Sequence, residues 1–134
     1  MRAIPSLAVL LLTGCVHAAL PGCGGHGKPI LTAELLFGRN IGVHEAVSDA
    51  DWARFLAEEA TPRFPEGLTV VDAKGQWHDR SRGAIIRERS KMVTIVLPDE
   101  PGGRERLSAL AEAYKRRFRQ ESVLTVLRPA CVSF

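Results

Sequence analysis

The stretch LTVVDAKGQWHDRSRGAIIRERSKMVTIVL, residues 68–97, decides the fold. Leu68 to His78 is rich in β-branched and aromatic residues and reads as a strand. Arg80-Ser81-Arg82-Gly83 is a turn, with Gly83 able to take positive φ. Ala84 to Leu97 reads as another long strand, so the whole segment is one long β-hairpin.

Upstream of it, Thr32 to Arg39 reads as a strand with Ala33, Leu35 and Phe37 on one face, followed by a loop through Gly42. Ser48 and Asp51 then form an approximate capping box in which Asp replaces the usual Glu. Trp52, Phe55, Leu56 and Ala60 carry helical spacing until Pro62 and Pro65 end the helix. Downstream, Pro98 to Gly103 breaks the chain, and Leu107, Leu110, Ala111, Tyr114 and Phe118 form the apolar stripe of a helix over Arg104 to Arg119. Ser122 to Arg128 reads as the last strand, with Pro129 stopping it. The order β-α-β-β-α-β is the split βαβ pattern. The expected fold class is therefore α+β and ferredoxin-like, a four-stranded antiparallel sheet with two helices on one face. Right-handed crossovers put the last strand beside the first, then the third, with the second at the far edge.

The chain begins with Met1-Arg2 and a short apolar run from Leu7 to Leu12. That run is far below the roughly 20 residues that span a bilayer. It ends in Leu12-Thr13-Gly14-Cys15, which resembles the lipobox of bacterial lipoproteins. The resemblance implies acylation of Cys15 and cleavage just before it; ordinary cleavage after Ala18 is the alternative. Val16 rather than Asp follows the cysteine, which in a two-membrane envelope favours the periplasmic face of the outer membrane. The expected organisation is a signal at 1–14, a lipid-anchored spacer at 15–31 containing Pro21, Gly22, Gly24, Gly25, Gly27 and Pro29, and one domain at 32–134. The net charge of +3 falls to about +2 when Arg2 leaves, too mild for a nucleic-acid partner.

Either cleavage leaves Cys23 and Cys131, and an exported chain meets oxidising conditions, so the two should pair. The bridge would close a loop of about 107 residues, worth roughly 4–5 kcal/mol in the chain-entropy model. The topology supports it, because the end of the last strand neighbours the start of the first. Cys23-x-x-His26 offers only two metal ligands with no second pair nearby, so no metal is expected. Neither a Gly-rich phosphate loop nor a Gly-x-Ser-x-Gly elbow is present, and no cofactor is expected.

Helices cover one face of such a sheet, and the second face should then alternate with polar residues. Met92 to Leu97 and Val123 to Leu127 are instead almost continuously apolar, so a partner, an apolar ligand or a twin should cover that face. Val93, Ile95 and Leu97 are assigned to the helices. Glu88, Ser90, Met92, Thr94, Val96, Glu34 and Leu36 then look outward, unless a bulge flips part of the hairpin.

The hairpin brings Gly75-Gln76-Trp77-His78-Asp79 beside Arg87-Glu88-Arg89-Ser90-Lys91. Gln76, Trp77, Arg87, Glu88, Ser90 and Lys91 are the candidate ligand-binding residues, through stacking and forked hydrogen bonds to a small anionic or sugar-like ligand. Solvated cross-strand charge pairs are the plainer reading. His78 and Asp79 point to opposite faces of a strand, and Ser90 has no evident His partner, so no catalytic residues are assigned. The basic run Tyr114-Lys115-Arg116-Arg117-Phe118-Arg119 fits a helix C-terminus, with anionic lipid headgroups as the sharper alternative.

Thr61 to Thr69, Gly75-Gln76-Trp77, Arg87 to Lys91, Gln120 to Val123 and Ala130 to Phe134 together resemble a bacterial family of small exported domains of unknown function, often described as lipoproteins. The resemblance spans 32–134 and implies export, but no activity. The functional expectation is a non-enzymatic envelope binding or interaction module, tethered to membrane lipid through Cys15 and pairing with itself through its sheet or with an envelope protein. A small-molecule-binding domain or enzyme with a site on the 76–91 hairpin, and a purely structural lipoprotein, are the alternatives.

Overall fold

The computed structural model of the chain describes residues 22–134 other than His26 and Val43. The candidate lipidation residue Cys15, the expected signal at 1–14 and the metal candidate His26 lie outside the described residues. The main elements are β1 (Lys28–Gly38), α1 (Asp49–Phe55, running on through Arg63), β2 (Thr69–Asp79), β3 (Ala84–Leu97), α2 (Pro101–Phe118) and β4 (Leu124–Val132). They form a four-stranded sheet in the order β2-β3-β1-β4, with every pairing antiparallel. This is the expected ferredoxin-like arrangement. A short ladder of Asn40–Ile41 with His44–Glu45 folds the loop after β1 back on itself.

The capping box at α1 forms with Asp in place of Glu. Ser48 Oγ accepts from the Asp51 N–H at 3.1 Å, and Asp51 Oδ2 accepts from the Ser48 N–H at 3.3 Å. Pro62 does not end this helix. The backbone widens into a π-turn over Leu56–Ala60, where the Thr61 N–H reaches back to the Leu56 carbonyl, and the helix passes the proline to end at Phe64. Pro129 does not stop the last strand either. It pairs opposite Leu31 inside β4, an edge strand, where a missing amide proton costs no ladder bond. β1 starts at Lys28, four residues before Thr32, so the sheet takes in the end of the spacer.

The register is unbroken from Leu31↔Leu97 to Gly38↔Ser90, and from Thr69↔Thr94 to Asp79↔Ala84. No bulge intervenes, and the assigned faces hold. Val93, Ile95 and Leu97 are buried with Leu31, Ala33, Leu35 and Phe37 beneath the helices. There they meet an aromatic cluster in which the Phe37 ring lies 4.7 Å from Tyr114 and 5.3 Å from Trp52. Such pairs add about 0.5–1.5 kcal/mol beyond burial.

Two ties hold the ends of the sheet. Cys23 and Cys131 form a disulfide with a Cα separation of 5.7 Å, joining the segment before β1 to the end of β4 and spending one of the two metal-ligand candidates. At the other end, Arg39 is 1% exposed. Its Nε donates to the Val47 carbonyl at 2.7 Å, and its guanidinium pairs with Glu45 at 2.9 Å and Asp49 at 3.0 Å. Beyond Gly38, β2 and β3 run on without β1 as a two-stranded ribbon.

Candidate functional site

Where β1 ends and the ribbon continues, the helix-free face of the sheet sinks into a cleft of about 600 Å³. Gly38 and Gly75 bare its floor around Ser90, whose neighbours across the strands are Gly38 and Ala73. Ser90 is 5% exposed, and its Oγ finds no hydrogen-bond partner among the described residues. A buried hydroxyl without a partner costs about 1–3 kcal/mol, so the position is poised to bond a ligand.

Glu88 lies beside it. A side chain on residue 38 would collide with the Glu88 carboxylate, which lies across the bare glycine. The Asn40 N–H donates to Glu88 Oε2 at 3.3 Å, and no cation pairs with this carboxylate among the described residues. Trp77, on the ribbon, lines the cleft with 46% of its surface exposed.

The opposite rim comes from the turn after α2. Arg119 closes the helix in the left-handed conformation, at φ 52°, a position usually left to Gly or Asn. The reversal carries Gln120 over the cleft, where its Nε2 donates to the Asn40 carbonyl at 2.7 Å. The Tyr114 hydroxyl donates to the Gly38 carbonyl at 2.8 Å, pinning the floor from below. Burial pushes this phenol above the usual tyrosine range.

The six candidate residues do not form one site. Trp77, Glu88 and Ser90 share the cleft. Arg87 lies on the other side of the ribbon, in a shallower hollow of about 400 Å³ with Lys74 and Arg89, and Gly75, Gln76 and Glu88 border both hollows. Lys91 is 8% exposed and pairs with Asp72 and Asp49, so it ties β3 to β2 and to the start of α1 rather than meeting a ligand. Consecutive strand residues alternate faces, which separates Arg87 and Lys91 from Glu88 and Ser90.

Asp79 serves the hairpin turn. It accepts from the Ser81 hydroxyl at 2.6 Å, from the Ser81 and Arg82 amides, and from the Arg82 guanidinium at 3.2 Å. The Ser81 hydroxyl bond is the main reason its carboxyl sits below the usual range. Ser90 Oγ has no base within hydrogen-bond reach among the described residues. The cleft thus offers an acceptor, a free hydroxyl and an aromatic face, but no paired nucleophile. Gly38, Asn40 and Gln120 were absent from the sequence-derived set. Glycines at the end of β1 and within β2 were the available signal, since an intrastrand Gly marks a close approach.

Fold and site define a ferredoxin-like α+β domain, disulfide-bonded in the manner of exported proteins, with a cleft on its uncovered sheet face. The chain belongs to the DUF3574 family of proteins of unknown function, whose model matches residues 32–134. No curated protein matches it. Among solved structures it is similar to a phage SAM lyase in complex with S-methyl-5'-thioadenosine. The TM-score is 0.61 at 17% identity, covering 85% of this chain and 97% of that one. A phage SAM lyase in the apo state gives 0.62 at 19% identity, covering 84% and 87%. CutA from Synechococcus elongatus, complexed with Bis-Tris, gives 0.51 at 11% identity, covering 81% and 87%. These likenesses establish the fold.

Proposed function

We propose that the protein is an exported, lipid-anchored envelope domain that binds a small polar molecule in the cleft of Trp77, Glu88 and Ser90, without chemistry of its own. The observation that carries this reading is the unpartnered, buried Ser90 Oγ beside a carboxylate without a cation, on a floor bared by two glycines. A ligand with a flat ring and adjacent hydroxyls fits these groups: the ring on Trp77, the hydroxyls on Glu88 and Ser90. Nucleoside thioethers are the first class to test, because a solved structure of similar fold is described with S-methyl-5'-thioadenosine.

The site also suits a tethered domain. The chain enters the sheet at Lys28, and the cleft opens beyond Gly38, at the far end of an 11-residue strand. At roughly 3.3 Å per residue the two ends stand about 35 Å apart, so the tether joins the domain at the end of the sheet away from the cleft.

The test is calorimetry and thermal shift with S-methyl-5'-thioadenosine, nucleosides and envelope sugars. Saturable binding that disappears in Trp77→Ala and Glu88→Ala supports the reading. No shift with any of these compounds overturns it. Release of a Cys15→Ala protein from the membrane fraction checks the anchor, and continued association refutes it.

A further inference from the structure

We infer that the helix-free sheet face is the seat of a second copy of this chain, and that the twin forms the missing wall of the cleft. Beside the cleft this face carries Val71 and Val96, each 45% exposed, and Leu124, 59% exposed, with Leu36, Met92 and Val126 half-buried between them. The register puts all six on one side of the sheet: Val71 faces Met92 on β3, Met92 faces Leu36 on β1, and Leu36 faces Leu124 on β4. Four adjacent strands thus present one continuous apolar strip to water, which soluble monomers rarely keep.

Charge on the face selects the occupant. Beside the cleft, the strip's one ion pair among the described residues is Glu34 with Arg128 at 3.1 Å, and this pair is internally neutral; the Asp79–Arg82 pair and the Glu88 carboxylate lie in the cleft itself. A strongly charged partner such as nucleic acid or an anionic bilayer gains nothing on this strip, while two identical strips meet there without like-charge repulsion. The area also suits a twin. Four strands at about 4.8 Å spacing and about nine residues of length give a plan area of roughly 600 Å². Two copies together would bury about 1,200 Å², the lower end of the standard interface range. Face-to-face contact between identical sheets is isologous and closes at two copies.

The consequence for the cleft follows from shared residues. Leu36 and Leu124 belong both to the strip and to the cleft lining, so a twin covering the strip also roofs the cleft and shields Trp77. The interface stands on the apolar face alone. Only its role in completing the site rests on the ligand reading above.

The test uses residues 22–134 with Cys23 and Cys131 oxidised, a span that holds all the sheet strands, both helices and the disulfide. Sedimentation should give a dimer, converted to monomer by Val96→Arg and by Val71→Arg with an unchanged circular dichroism spectrum. Iodide quenching reads the roof without any ligand, because the chain's second tryptophan, Trp52, is only 4% exposed. Quenching of Trp77 should rise several-fold in the monomeric variants. A wild-type monomer at high concentration, an oligomer that survives both variants, or a dimer in which Trp77 quenches as in the monomer each overturns the inference. If both variants fail to fold, protection of Val71 and Val96 amides and methyls on concentrating the wild type decides instead, and its absence counts against the twin.

Discussion

The carboxylate of Glu88 occupies the space that a side chain at position 38 would need: a Cβ built on Gly38 stands 2.7 Å from Oε2 and 2.9 Å from Oε1. Gly38→Ala therefore drives Glu88 off the cleft floor and breaks its bond with the Asn40 amide. The displaced atoms are the free end of a flexible side chain, so the expected loss is about 0.5–1.5 kcal/mol, that of the broken hydrogen bond. Glu88→Ala in the same chain should recover part of it, giving a coupling of roughly 0.5–1.5 kcal/mol in a double-mutant cycle followed by urea unfolding. Strict additivity would mean that the two positions do not compete for this space.

Arg39 is the buried cation at the start of the first loop, and its two carboxylate partners are themselves exposed, at 37% for Glu45 and 69% for Asp49. They rehydrate when the guanidinium is removed, so Arg39→Met should not cost the full 3–5 kcal/mol of a broken buried pair. The expected loss is about 1–3 kcal/mol, dominated by the Val47 carbonyl left without its donor. Arg39→Lys should do little better, because a single ammonium cannot serve Val47, Glu45 and Asp49 together. Equilibrium unfolding of both variants checks this.

The disulfide spans 108 residues of chain. Reduction, or Cys131→Ser, should lower stability by about 2–5 kcal/mol. Thermal melts with and without reductant read the difference. The variant and the reduced wild type should melt together, and a further loss of the variant in reductant would point to lost packing at Cys131 instead.

Acid should act through four carboxylates: Glu112, held below the usual 4.5 first by its hydrogen bond to Lys115, and three aspartates whose folded values lie below the usual 3.8. Asp79 is held down first by the Ser81 hydroxyl, Asp51 by the Ser48 hydroxyl, and Asp49 by its hydrogen bond to Lys91. Lowered values mean stability fully present above the usual value of each group and lost as pH falls through the folded values. Tyr114 works at the other end, its value raised above 10 chiefly by burial. That contribution holds below pH 10 and is lost above it, as the unfolded chain releases the proton first. Tyr114 is the chain's one tyrosine, so phenolate absorbance should appear together with alkaline unfolding. Ionisation at pH 10 in the folded state would refute the burial argument.

Much of the fold was legible in the sequence because it follows from local periodicity. The 68–97 hairpin, the strand faces and the Ser48 cap all rest on neighbours within a few residues, and each formed as read. Several boundaries shifted: β1 begins at Lys28 rather than Thr32, α2 begins at Pro101 rather than Arg104, and two expected stops, Pro62 and Pro129, were passed for one reason. Pro62 and Pro129 break regular structure only when their neighbours need the missing amide, and a π-turn in one case and an edge position in the other removed that need. Of the site, Trp77, Glu88 and Ser90 were legible as a polar run on a hairpin.

The sequence by itself determined the order of elements, the buried face of each strand and the pairing of Cys23 with Cys131, since periodicity and topology leave few other arrangements. Only the tertiary structure decided which polar residues share a cleft. It set Arg87 and Lys91 apart from Trp77 and Ser90, brought Gly38, Asn40 and Gln120 to the same floor and rim, and buried Arg39. The physical reason is that a site forms where strand register, a helix end and a loop meet. Gln120 and Asn40 are 80 residues apart in the chain, and their contact is fixed only when the whole sheet has closed.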